Sequence, residues 1–293
     1  MPDRKFNKKQ VIRYLLWTFA AAYLVQFLSA SLYNRNRQAG QLVLAAMMFV
    51  PTLGVFLSGA GFSGMGWRPR IRKNIRVILA AWFGPLILTA AGALIYFLLF
   101  PRHFDLSGGY LTVLAGEEAL EQMKAQGLSY PLYVMVNVIG SITYAPLINM
   151  FVALGEEIGW RGFLYPQLKA RFGRKTGRLL GGVIWGAWHW PLIWLTGYEY
   201  GAAYFGFPVV GMLLFCFITV GWGILHDRLY EKSCSIWVPA LFHGAINAAA
   251  TLPAAVCLAD TGSARLLGPA PNGLLAGLPF LIAAAMVYFR KDK

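Results

Sequence analysis

The chain has 293 residues, 58% of them hydrophobic and 13% charged, and a formal net charge of +14. A soluble domain carries about 25% charged residues, so the composition excludes a soluble globular enzyme, a disordered chain and a collagen-like one, and points to a protein that crosses a membrane several times. The excess of 26 Lys and Arg over 12 Asp and Glu reads as the charge bias of such a protein toward anionic inner-leaflet lipid, not as a nucleic-acid surface.

About 20 apolar residues cross a bilayer core. Eight stretches approach that length: Val11–Ser31, Gln41–Gly59, Ile75–Phe100, Leu132–Leu154, Leu179–Thr196, Ala203–Leu225, Ile236–Val256 and Gly273–Phe289. The first is expected to be an uncleaved membrane helix, and the fourth to continue as helix through Gln167. With the N-terminus in the cytoplasm, 20 Lys and Arg fall on the inside, against five outside (Arg35, Arg37, Arg102, Lys124 and Arg265), and Arg161 lies within a span. That split predicts an all-α polytopic bundle, N-in and C-in, forming a single membrane domain over residues 1–293. In the long outside loop Pro101–Pro131, Glu117–Gln126 is expected to be a short surface helix. The ten tryptophans are read mostly as interface anchors. Cys216, Cys234 and Cys257 are odd in number and lack CxxC spacing, so neither a disulfide framework nor a zinc–cysteine site is expected.

Ionisable groups inside a membrane are costly and usually face a cavity. Here they fall in three stretches: Gly155-Glu156-Glu157-Ile158-Gly159-Trp160-Arg161, Trp185-Gly186-Ala187-Trp188-His189-Trp190-Pro191, and His243-Gly244-Ala245-Ile246-Asn247. At 1.5 Å per residue, Glu156 and His189 lie ~15 Å and His243 ~10 Å from the cytoplasmic ends of their spans. Similar depth in three spans predicts one shared pocket in the cytoplasmic half, within a core at about residues 132–256. Glu157 and Arg161 are spaced i, i+4 in the favourable order for an ion pair, which leaves Glu156 available; Asn149, on about the same face, is a candidate partner for it. His243 and Asn247 share a helix face. Pro191 and Pro239 are expected to kink their helices. His226 and Asp227, at a span end, are expected to be solvated.

None of these motifs holds a Ser or Cys nucleophile, so hydrolysis by activated water is favoured over an acyl-enzyme. Glu156 is the candidate general base, His189 orients the water, and His243 and Asn247 donate to the oxyanion. No cofactor is expected. HExxH is absent; were zinc to bind, Glu156, His189 and His243 would hold it. Two other readings stay open: a proton-coupled transporter, and a non-catalytic immunity or scaffold protein.

The three motifs resemble those of the CPBP family, the CAAX prenyl proteases and bacteriocin-processing (Abi) enzymes: EExxxR as Glu156, Glu157 and Arg161; an aromatic with His four residues on as Trp185 and His189; HxxxN as His243 and Asn247. Phe is common in the family where Trp185 stands. The resemblance covers about Leu132–Ala255 and looks most like bacterial members. It implies an eight-span intramembrane endopeptidase in a bacterial plasma membrane, acting on a peptide or protein substrate. It implies Glu156 as the base assisted by His189, His243 and Asn247 as the oxyanion hole, and Glu157 and Arg161 as support.

Overall fold

The computed structural model describes residues 5–33 and 37–290; Arg4, Arg35, Lys291 and Lys293 of the charge count lie outside them. Among the described residues the chain is all-α, as expected. The helices are α1 (Lys8–Tyr33), α2 (Arg37–Met47), α3 (Val50–Leu57), α4 (Ile71–Leu99), α5 (Gly109–Ala115), α6 (Glu117–Ala125), α7 (Tyr130–Ile142) and α8 (Ala145–Gly159). A π-helical turn, Trp160–Leu164, leads into α9 (Tyr165–Phe172), followed by α10 (Arg174–Ala187), α11 (Trp190–Thr196), α12 (Val209–Ser233), α13 (Trp237–Ala255) and α14 (Leu278–Phe289). The expected surface helix is α6.

Among the described residues, three helices are long and apolar enough to cross a membrane: Lys8–Leu32, Ile71–Leu99 and Val209–Ser233. A fourth span arises if α7 and the α8–α9 run, bent by 60° at their junction, count as one. The other apolar stretches are divided, and proline divides them. Pro51, Pro146 and Pro191 each occupy the second residue of a helix, α3, α8 and α11. A proline ring has no N–H to donate and clashes with the carbonyl four residues back, so a preceding helix stops and a new one starts. The second, fourth and fifth stretches are therefore broken pairs rather than single rods. Pro239 was expected to kink its helix and does not. It stands third in α13, in the turn whose N–H groups have no intrahelical acceptor.

Two other boundaries differ from expectation. α14 has 12 residues and starts at Leu278, not Gly273; at ~18 Å it is shorter than a ~30 Å bilayer core. α12 starts six residues later than Ala203 and runs eight residues past Leu225. That extension corrects the reading of His226 and Asp227, which are wholly buried. Asp227 accepts from Lys169 Nζ at 2.6 Å and from Arg178 Nε at 2.7 Å. Glu231, one turn on, bonds Lys169, Arg174 and Arg178. Basic residues that count toward the inside charge thus also tie α9 and α10 to α12.

The bundle centre is built on two close helix pairs, α8 with α13 and α10 with α12. Gly244 permits the first: a Cβ there would lie 2.5 Å from the Met150 backbone nitrogen. Gly186 permits the second, since its Cβ would lie 2.6 Å from Cys216 Cα. These approaches bring together the C-terminal end of α8, the break between α10 and α11 that holds His189, and the middle of α13, which carry the three motifs.

Candidate active site

Glu156 and Glu157 end α8 and are 3% and 0% exposed. They face different partners. Glu156 Oε2 accepts from two indoles, Trp160 Nε1 at 2.9 Å and Trp185 Nε1 at 2.8 Å. No side-chain hydrogen bond joins Asn149 to Glu156 among the described residues. Glu157 Oε1 takes Arg161 Nη1 at 2.9 Å, the expected i, i+4 pair, and also His243 Nδ1 at 2.9 Å. Burying an ion pair completely is expensive. Two rings offset part of the cost: the Arg161 guanidinium lies 4.7 Å from the Tyr165 ring centroid and 4.5 Å from that of Trp185. The π-helical turn holds Arg161 in this slot. Such single π turns recur at functional sites.

The hydrogen bonds fix which imidazole nitrogens carry protons. His189 Nδ1 lies 3.0 Å from the Trp185 carbonyl. A carbonyl only accepts, so Nδ1 is the donor and Nε2 of the neutral ring keeps its lone pair. His226 is fixed the same way, its Nδ1 2.7 Å from the Trp222 carbonyl. His243 points Nδ1 at a carboxylate, so its Nε2 donates only when the ring is the imidazolium.

One cavity of about 270 Å³ is lined by Glu156, His189, His243 and Asn247 together, a size near the lower end of ligand pockets. Glu157 and Arg161 are absent from its lining and stand behind Glu156 and His243. The expected set is thus brought together, with the supporting pair one layer back. Three further lining residues, Tyr198, Glu199 and Asn272, were not anticipated. They sit on loops, where helical periodicity gives no signal. The tryptophans also need correction. Trp160, Trp185 and Trp188 are 0–2% exposed and enclose the site. The available sign was their spacing: Trp160 follows Glu156, and Trp185 precedes His189, by four residues.

Among the described residues, three potential metal donors come within 4.8 Å of one another, on Glu157, His226 and His243. This differs from the expected set of Glu156, His189 and His243. It does not suit a divalent cation, because the Arg161 guanidinium already holds the same Glu157 oxygen that faces His243. His226 Nε2, 4.0 Å from that oxygen, makes no hydrogen bond among the described residues.

The family model for type II CAAX prenyl endopeptidases of the Rce1-like kind matches residues 138–249, which spans all three motifs. Across its length the chain is similar to CAAX prenyl protease 2 of Methanococcus maripaludis: 24% identity over 294 residues, covering 98% of this chain and 95% of the relative. That relative is archaeal, so it lends no support to the expected bacterial membrane.

Proposed function

We propose that the chain is a member of the Rce1-like CAAX prenyl endopeptidase family and an intramembrane endopeptidase that hydrolyses a peptide or protein with water activated by Glu156. The observation that carries this reading is the shared lining of one cavity by Glu156, His189, His243 and Asn247. The two indole donors hold Glu156 Oε2 and leave Oε1 to take the proton of a water placed against the substrate carbonyl. As the water oxygen bonds to the carbonyl carbon, charge develops on the carbonyl oxygen. Asn247 donates its amide N–H there, and so does His243 as an imidazolium stabilised by Glu157. His189 accepts from the water through Nε2. The proton taken by Glu156 then passes to the leaving amine.

We assign the broken helix pairs and α14 to the remaining crossings of an eight-span, N-in, C-in domain over residues 1–293, with its catalytic core at about 132–256. The basic turn between α9 and α10 then faces the cytoplasm. Membrane lipid surrounds the domain, and the cavity is reached from the cytoplasmic side.

The test uses purified protein in liposomes and quenched peptides ending in CAAX sequences, prenylated and unprenylated, as the relative's name suggests. Cleavage by wild type that is absent in Glu156→Gln supports the reading. Equal turnover by the two proteins overturns the assigned base.

A further inference from the structure

The cavity has a second polar end. Tyr198 and Glu199 reach it from the loop between α11 and α12, and Asn272 reaches it from the segment before α14. Asn272, 4% exposed, donates its side-chain amide to Glu199 Oε2 at 2.9 Å. Tyr198, its chain neighbour, also favours the charged form of the Glu199 carboxylate. The Tyr198 ring lies parallel to that of His189, 6.0 Å away centroid to centroid and inclined by 7°. This end is therefore continuous with the proposed catalytic residues.

The local backbone is arranged to aim Glu199. Its φ is +68°, in the left-handed region, which is unfavourable for a residue with a side chain. The conformation is held from both sides. Gly197 and Gly201 also take positive φ, and Tyr200, 2% exposed, donates its hydroxyl to the Asn272 carbonyl at 2.9 Å. Between the two polar ends the wall is mostly apolar, with Leu44, Met48, Leu192 and Phe215 among its residues. Burial raises the Glu199 carboxyl above its ordinary range, against the lowering effects of Tyr198 and of Arg265. Among the described residues no cation forms an ion pair with it. A carboxylate aimed into an apolar cavity loses hydration that its hydrogen bond from Asn272 only partly replaces, and a docked cation supplies the remainder.

We propose that Glu199, positioned by Asn272, is a recognition subsite for a cationic nitrogen of the substrate: a lysine ammonium, an arginine guanidinium or a free α-amine. The inference rests on the endopeptidase reading and names a substrate feature of the same cavity.

The experiment uses full-length protein in nanodiscs and a set of otherwise identical quenched peptides. Lys, norleucine or Glu is placed at each position on either side of the scissile bond. Wild type is expected to favour Lys over norleucine at one position by at least about tenfold. Glu199→Gln is expected to bring that ratio to near one, and Glu199→Asp, which keeps the charge, to retain the preference. A second arm measures binding of the same peptides to Glu156→Gln and to the double variant Glu156→Gln/Glu199→Gln. If wild type cleaves no better than Glu156→Gln, the protease reading fails, and the binding arm still decides the subsite. A Lys preference that Glu199→Gln erases supports it. Equal Lys and norleucine binding, or the same preference with and without Glu199, overturns it.

Discussion

Trp185 donates its indole N–H to Glu156 Oε2 at 2.8 Å, while its ring covers the Arg161 guanidinium. One side chain thus orients the proposed base and helps shelter the charge that holds Glu157. A phenylalanine at this position keeps the ring but loses the donor. Trp185→Phe is therefore expected to lower kcat by about ten- to a hundredfold, the value of one hydrogen bond to a charged group, with KM and thermal stability little changed. Steady-state kinetics beside a melting curve in detergent make the check. A parallel loss of stability and kcat would mean the indole serves packing alone.

Arg161 is fully buried and paired with Glu157 at 2.9 Å. Arg161→Ala leaves the Glu157 charge with its other contact, His243, and an empty slot between two rings. Breaking a buried pair this way costs about 3–5 kcal/mol. The expected outcome is a sharp fall in folded protein recovered by size-exclusion chromatography. Arg161→Lys is expected to rescue poorly, because an ammonium does not stack flat between Tyr165 and Trp185 as a guanidinium does.

Asp227 joins α12 to α9 and α10 through Lys169 and Arg178 and does not line the cavity. Asp227→Ala is expected to destabilise the fold by about 3 kcal/mol or more, read as a lower melting temperature. The kcat of the molecules that remain folded is expected to stay within about twofold of wild type. Loss of kcat at unchanged stability would contradict the structural role.

Gly244 sets the distance between α8 and α13. A Cβ there meets backbone, not a yielding side chain, so Gly244→Ala is expected to push the helices apart and separate His243 from Glu157. Activity should fall at least about tenfold, since small displacements of catalytic groups are costly. Full activity in this variant would show that the spacing between the two helices tolerates more than the close approach implies.

The convergence of the candidate site residues was largely legible in the sequence because they lie on or beside helices. Charged residues in apolar stretches stand out, and i, i+4 spacing placed Glu157 on Arg161 and His243 beside Asn247. The contacts that cross between helices were not legible. Nothing in the spacing tells that His243 turns Nδ1 to Glu157, or that two indoles converge on Glu156. Glu199 was missed because a loop has no period. Its neighbours Gly197 and Gly201 are the one local sign of an unusual backbone. His226 and Asp227 were misplaced by an error of eight residues in one helix end, which moved two buried groups into water. Hydropathy located the apolar stretches but not their breaks. Prolines at the second residue of α3, α8 and α11 were visible as prolines, yet whether a proline kinks, breaks or merely starts a helix depends on where the helix begins.

The most direct test of the account compares the membrane peptidome of cells producing wild-type protein with that of cells producing Glu156→Gln at equal levels. The account predicts fragments found only with wild type, and loss of the same fragments with Asn247→Ala. Identical peptidomes, repeated with the purified proteins on a membrane-protein extract, would contradict it.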